Sequence, residues 1–140
     1  MTPTLENTPT VPVNDPHAIP WETYQPRARG VLDLVDDLLT RCAVGRIRVD
    51  CRPGVVTEIP LSGEDPHSFT VTFRNSVFRA VMARLAYLCK PLSAETITPY
   101  GGKGEFVDPR GPDVRFRVDF VNTPAEQRLE LTPQAIPEFS

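Results

Sequence analysis

A chain of 140 residues, 40% of them hydrophobic, is one domain's worth and long enough to bury a real core. Its formal net charge of -3 gives no reason to expect nonspecific nucleic-acid binding. No stretch approaches the roughly 18 apolar residues that a membrane helix needs, and the N-terminus lacks a basic region followed by an apolar run, so a soluble, cytoplasmic protein with no membrane insertion is expected.

Proline is unevenly placed. Pro3, Pro9, Pro12, Pro16 and Pro20 crowd the start, where apolar residues show no period, so residues 1–25 read as a disordered proline-rich tail. A single domain is expected over residues 26–132, followed by a flexible C-terminal tail over 133–140. Val31, Leu34, Val35, Leu38, Leu39 and Cys42 recur at helical spacing and predict a helix over 28–42, with Asp33, Asp36, Asp37 and Arg41 in solvent and Gly45 as its stop. Alternation predicts strands over 46–51 and 69–73. A second helix follows over 76–90, capped by Asn75 or Ser76, closed by Pro91, and burying Phe78, Val81, Met82, Leu85 and Cys89. Further strands are predicted at 104–107, 114–121 and 127–131, the first two joined by a turn at Asp108-Pro-Arg-Gly-Pro-Asp113. Two amphipathic helices and an antiparallel-rich sheet make an α+β fold, a two-layer sandwich with both helices on one face of the sheet and the other face open.

That open face has a repeated phrase. Arg46-Ile-Arg48-Val-Asp50 and Arg115-Phe-Arg117-Val-Asp119 alternate so that the arginines and aspartates point away from the core. Guanidinium forks suit phosphate or carboxylate, which makes Arg46, Arg48, Arg115 and Arg117 candidate binding residues. Cross-strand ion pairs that keep the face solvated and blunt sheet edges are the plainer explanation of the same pattern. Gly102 and Lys103, within Gly101-Gly-Lys-Gly104, are a second candidate, because backbone amides beside a lysine can cradle phosphate. The spacing is not that of a phosphate-binding loop and the glycines precede a strand, so the segment also reads as the start of a hairpin.

Catalytic chemistry is poorly represented. His17 falls in the tail and His67 in the Ser62-Gly-Glu-Asp-Pro-His-Ser68 loop, neither placed to act as a base for a nucleophile. Asp36 and Asp37 are adjacent on a helix and do not face one another, and Glu64-Asp65 has no partner to tune it for acid catalysis. Cys42, Cys51 and Cys89 are odd in number, contain no Cys-x-x-Cys pair, and read as reduced core thiols; no metal-ligand cluster is spaced for a site. A protein that is not an enzyme and needs no cofactor is expected.

Four segments together resemble a known family. They are Arg84-Leu-Ala-Tyr-Leu-Cys-Lys-Pro-Leu-Ser-Ala94-Glu95, then Pro99-Tyr-Gly-Gly102-Lys103, then Phe116-Arg117-Val118, and Gln127-Arg128-Leu129-Glu-Leu131. With the helix from Val31 to Cys42, they resemble the domain that precedes the ATPase core in type II secretion and type IV pilus assembly ATPases. There a helix leads into an Ala-Glu pair, a Pro-x-x-Gly-Arg turn, a Leu-Arg-Val strand and a hairpin containing Gly-Glu-Lys. The chain departs from that pattern in its middle, where Val55-Val-Thr-Glu-Ile-Pro-Leu-Ser-Gly63 lacks the family's arginines, and the catalytic core has no counterpart in it. The resemblance implies a bacterial protein-interaction or regulatory module whose partner is another protein, such as a secretion or pilus ATPase or a related assembly. It places Arg117 at the family's strand arginine, which in the family points toward nucleotide held by a neighbouring ATPase domain. The competing expectation is a small anion- or nucleotide-binding domain that uses the arginine face or the Gly-Gly-Lys segment.

Overall fold

The computed structural model of the chain describes residues 18–25 and 27–134. Of the tails expected over residues 1–25 and 133–140, residues 1–17 and 135–140 lie outside the described residues. The chain forms an α+β two-layer sandwich, with helices packed on one face of a seven-stranded antiparallel sheet.

Helix α1 (Val31–Cys42) begins after Gly30, whose φ of 62° is a conformation that glycine adopts without the steric cost of a Cβ. Strands β1 (Gly45–Asp50), β2 (Val55–Pro60) and β3 (His67–Thr70) then run as a meander. Helix α2 (Asn75–Leu88) crosses over, and a one-turn helix α3 (Lys90–Ser93) follows with Pro91 inside it, so this proline starts a new turn where the sequence predicted a stop. Strands β4 (Ile97–Thr98), β5 (Gly101–Val107), β6 (Arg115–Asn122) and β7 (Gln127–Gln134) form the second meander. The order across the sheet is β3-β2-β1-β7-β6-β5-β4, so β7 closes the sheet by pairing with β1.

The period-two alternation explains which face is buried. Ile47, Val49, Val56, Phe69, Phe106, Phe116, Val118, Phe120, Leu129 and Leu131 all enter one core with the helix residues Leu34, Leu38, Leu39, Val81, Met82 and Leu85. Each such side chain contributes about 1.5–3 kcal/mol of burial, which is what fixes the register: a slip by one residue would turn Phe116, Val118 and Phe120 to water.

Several expected boundaries move. Strand β3 ends at Thr70 and does not reach Phe73; the Val71 N–H still donates to the carbonyl of Gly54, the position next in register after the Val55–Thr70 pair. Strand β7 continues past Leu131, with Pro133 and Gln134 opposite Phe116 and Arg115, so the domain extends beyond residue 132. Helix α1 starts three residues later than predicted, and Gly45 opens β1.

The largest correction is at the N-terminal side. Trp21 is 1% exposed and Tyr24 is 9% exposed, so the segment before Pro26 is part of the core. Trp21 opens a single 3-10 turn over Trp21–Thr23. Its ring stacks 5.5 Å from Tyr24, which meets Phe73 edge-on at 5.6 Å. Its Nε1–H donates to Glu58 Oε2 at 2.7 Å, and the buried Arg41 guanidinium also donates to Glu58, at 3.0 and 3.2 Å. The following residues clamp α1 from its acidic side. Arg27 forks onto Asp37 at 2.9 and 3.0 Å, Tyr24 Oη–H donates to the same carboxylate, and Arg29 reaches both Asp33 and Asp36. Asp33, Asp37 and Arg41 are therefore buried, where a solvated helix face was expected. The Arg29 amide, and then its guanidinium, hold the Asp33 carboxyl below the usual carboxylate range. Burial, and then the hydrogen bond to Asp37, push the Tyr24 phenol well above its ordinary value.

Candidate docking groove

The two Arg-x-Arg-x-Asp phrases do lie on one face of one sheet, on β1 and β6, but β7 runs between them. Their arginines are thus two strand spacings apart, about 10 Å. Across the open face the register builds a row of opposed side chains: Thr57 opposite Arg48, Arg48 opposite Glu130, Glu130 opposite Asp119, and Asp119 opposite Lys103. Arg46 lies 3.5 Å from Glu130, Arg48 lies 3.3 Å from Asp50 and 3.9 Å from Glu130, and Arg117 lies 3.1 Å from Glu105. The β7 carboxylate Glu130 is the residue that the sequence reading left out, and it pairs with both arginines of β1. Among the described residues Arg115 makes no ion pair, and it sits exposed opposite Gln134 and Val107.

The Gly-Gly-Lys segment lies inside strand β5; the turn before it is Pro99-Tyr100. Gly102 has φ 130°, and a Cβ there would stand 2.3 Å from the Thr96 carbonyl oxygen, so glycine is required by the close approach of β4. The Lys103 N–H donates to the Thr96 carbonyl at 3.2 Å, the Lys103 carbonyl accepts from Thr96 Oγ1 at 2.7 Å, and the Glu105 N–H donates to Ser93 Oγ at 2.9 Å. These partners occupy the outer edge of β5 at residues 103 and 105, so it offers no amides there for a phosphate and no ladder positions for an added strand.

What the arrangement does create is a groove. Helix α3 and the chain from Ala94 to Thr96 stand beside β5 and leave an open trough of about 1000 Å³. Gly102, Lys103 and Arg117, three of the six candidate residues, lie in its wall with Lys90, Ser93 and Glu95. Next to it, Tyr87, Leu88, Pro91, Leu92 and Val107 line a smaller, largely apolar pocket of about 330 Å³, with Lys90, Pro91 and Leu92 common to both. Tyr87 on α2 is 59% exposed and Leu92 on α3 is 46% exposed, whereas Phe78, Val81, Met82 and Leu85 of α2 are buried. The Arg84 guanidinium and the Lys90 ammonium sit 5.5 and 5.7 Å from the Tyr87 ring centre. Of the groove's charges, Arg117 is engaged by Glu105, whereas Lys103 makes no ion pair among the described residues. The sequence signal that could have found this place is Tyr87, which lies off the buried stripe of α2.

The thiols of Cys42, Cys51 and Cys89 are free and buried, and burial pushes them up to about 12, 11 and 11. Among the described residues no helix is long and apolar enough to cross a membrane. No family model, no curated protein and no solved structure matches this chain.

Proposed function

We propose that the chain is a non-catalytic, cytoplasmic protein-interaction module that docks onto a larger partner through the end of the domain where α2, α3 and β5 meet. The observation that carries this reading is the exposed apolar patch of Tyr87 and Leu92 over its own pocket, continuous with a trough that holds Lys103 and Arg117. An aromatic and aliphatic patch rimmed by cations is the composition that protein interfaces favour at their centre. The sequence resemblance to the domain preceding the core of secretion and pilus ATPases supports the same class, and makes an ATPase of that kind, or a related assembly, the partner to test first. The reading in which an arginine face binds an anion or nucleotide has less support, because Arg46, Arg48 and Arg117 are all engaged by carboxylates.

The test is site-specific photo-crosslinking in the source cells, with benzoylphenylalanine in place of Tyr87 or Leu92 and, as a control, in place of Leu61, which is 63% exposed at the end of β2. A discrete adduct from positions 87 and 92 and none from 61 is expected. Equal adducts at all three positions, or none at 87 and 92, would remove the groove as the docking site.

A further inference from the structure

We infer that this groove takes an acidic peptide segment of the partner, one that carries a bulky apolar residue next to its carboxylates. The inference rests on the docking reading above and specifies the ligand of that same site.

Three features point to that chemistry. The chain has a formal net charge of -3, yet this end of it gathers Arg84, Lys90, Lys103 and Arg117 against the carboxylates Glu95 and Glu105 of the trough and Asp119, which stands opposite Lys103, an excess of one positive charge among these residues. A cationic end on a domain of net negative charge favours negatively charged segments, which the rest of the surface repels, and disfavours basic ones. Second, one of the trough's two carboxylates is already committed: Glu105 receives Arg117 at 3.1 Å and the Gln134 amide at 3.4 Å. The cations that an incoming segment meets unpaired by a salt bridge among the described residues are Lys90 and Lys103, both exposed, with Glu95 the exposed carboxylate of the same trough.

Third, the geometry determines how the segment is held. The edge of β5 is closed at residues 103 and 105 by Ser93 and Thr96, so the ligand cannot bind there as an extra strand through its backbone. Side chains must carry the contact. The apolar pocket under Tyr87, Leu92 and Val107 accepts an anchor such as Leu or Phe, and Lys90, which lines both cavities, places a cation beside that anchor. Carboxylates flanking the anchor then reach Lys90 on one side and Lys103 along the trough.

The experiment is selection of phage-displayed random 12-residue peptides on the immobilised full chain, followed by fluorescence anisotropy with the enriched peptides. Three variants are measured beside the wild type: Lys90→Glu with Lys103→Glu, Tyr87→Ser with Leu92→Ser, and the open-face control Arg46→Ala with Arg48→Ala. All substituted side chains are exposed, and a circular dichroism melt checks that each variant folds. Enriched peptides with Asp or Glu beside a large apolar residue, binding at least tenfold more weakly to both groove variants and unchanged by the control, are expected. Enrichment of neutral or basic peptides, or of acidic ones whose binding survives Lys90→Glu with Lys103→Glu, overturns the inference and leaves the docking reading standing. Enrichment of no peptide overturns the inference, while adducts from positions 87 and 92 in cells would still support docking of a folded surface.

Discussion

Replacing Trp21 with Ala tests whether the fold begins before Pro26. The indole is 1% exposed, stacks on Tyr24, and donates to Glu58, which also receives the buried Arg41. Large-to-small changes at a buried aromatic cost about 3–5 kcal/mol, at least about a fifth of the roughly 5–15 kcal/mol stability of a typical domain. Trp21→Phe separates the two contributions, because it keeps most of the ring and removes only the N–H donor to a carboxylate, a loss of roughly 1.5–3 kcal/mol. Trp21 is the single tryptophan, so the variants must be followed by far-UV circular dichroism in urea. The expected order of midpoints is wild type above Trp21→Phe above Trp21→Ala, with an unchanged slope. If Trp21→Ala lost less than about 1 kcal/mol, residues 21–24 would not belong to the core and the boundary would return to Pro26.

Gly102→Ala should destabilise by more than about 1 kcal/mol, since it places a Cβ against the Thr96 carbonyl at a positive φ; a thermal melt at the wild-type temperature would contradict the close β4–β5 approach. Stability should fall as pH rises above about 9. The unfolded thiols lose protons there while Cys42, Cys51 and Cys89 keep theirs up to about 12, 11 and 11, so the unfolded state binds fewer protons and each thiol contributes at most about 1.4 kcal/mol per pH unit. Urea unfolding at pH 8 and pH 10 would show this, and a Cys51→Ala, Cys89→Ala variant that declined as steeply as the wild type would refute the attribution. At the acid end the opposite sign holds for Asp33: its contribution is full above the ordinary carboxylate pKa of 3.8 and is lost as pH falls below it, so Asp33→Asn should flatten the acid limb of the stability curve.

Much of the fold was legible because burial imposes a period. The stripes of α1 and α2 and the alternation of β1, β6 and β7 each follow from one side of an element meeting the core. What escaped had no period to read. Strand β2 places Val55 and Val56 side by side and turns the charged Glu58 toward the helices, where Arg41 and Trp21 receive it, so its alternation is hidden. Strand β4 is only two residues long. Trp21 and Tyr24 sit among prolines, and the aspartates of α1 read as a solvated face because the arginines that cover them, Arg27 and Arg29, precede the helix in a segment without a pattern. The candidate site divided in the same way. Alternation placed the four arginines on the open face, but only register could reveal that Glu130 of β7 stands between the two phrases. The convergence of Lys103 and Arg117 with Lys90 depends on where α3 lies against β5, which no local pattern specifies.

The most direct measurement of the central claim is the affinity of the partner recovered by crosslinking for two variants of the full chain. Tyr87→Ala with Lys103→Ala alters the groove, and Arg46→Ala with Arg48→Ala alters the open face over β1. Truncating the few hot-spot residues at the centre of an interface costs about 2 kcal/mol or more, about thirtyfold in dissociation constant, whereas solvated ion pairs outside it cost little. The groove variant is therefore predicted to bind at least about thirtyfold more weakly and the open-face variant within about twofold of wild type. The reverse order, with binding lost at Arg46 and Arg48 and retained at Tyr87 and Lys103, would contradict the account and move the function to the arginine face.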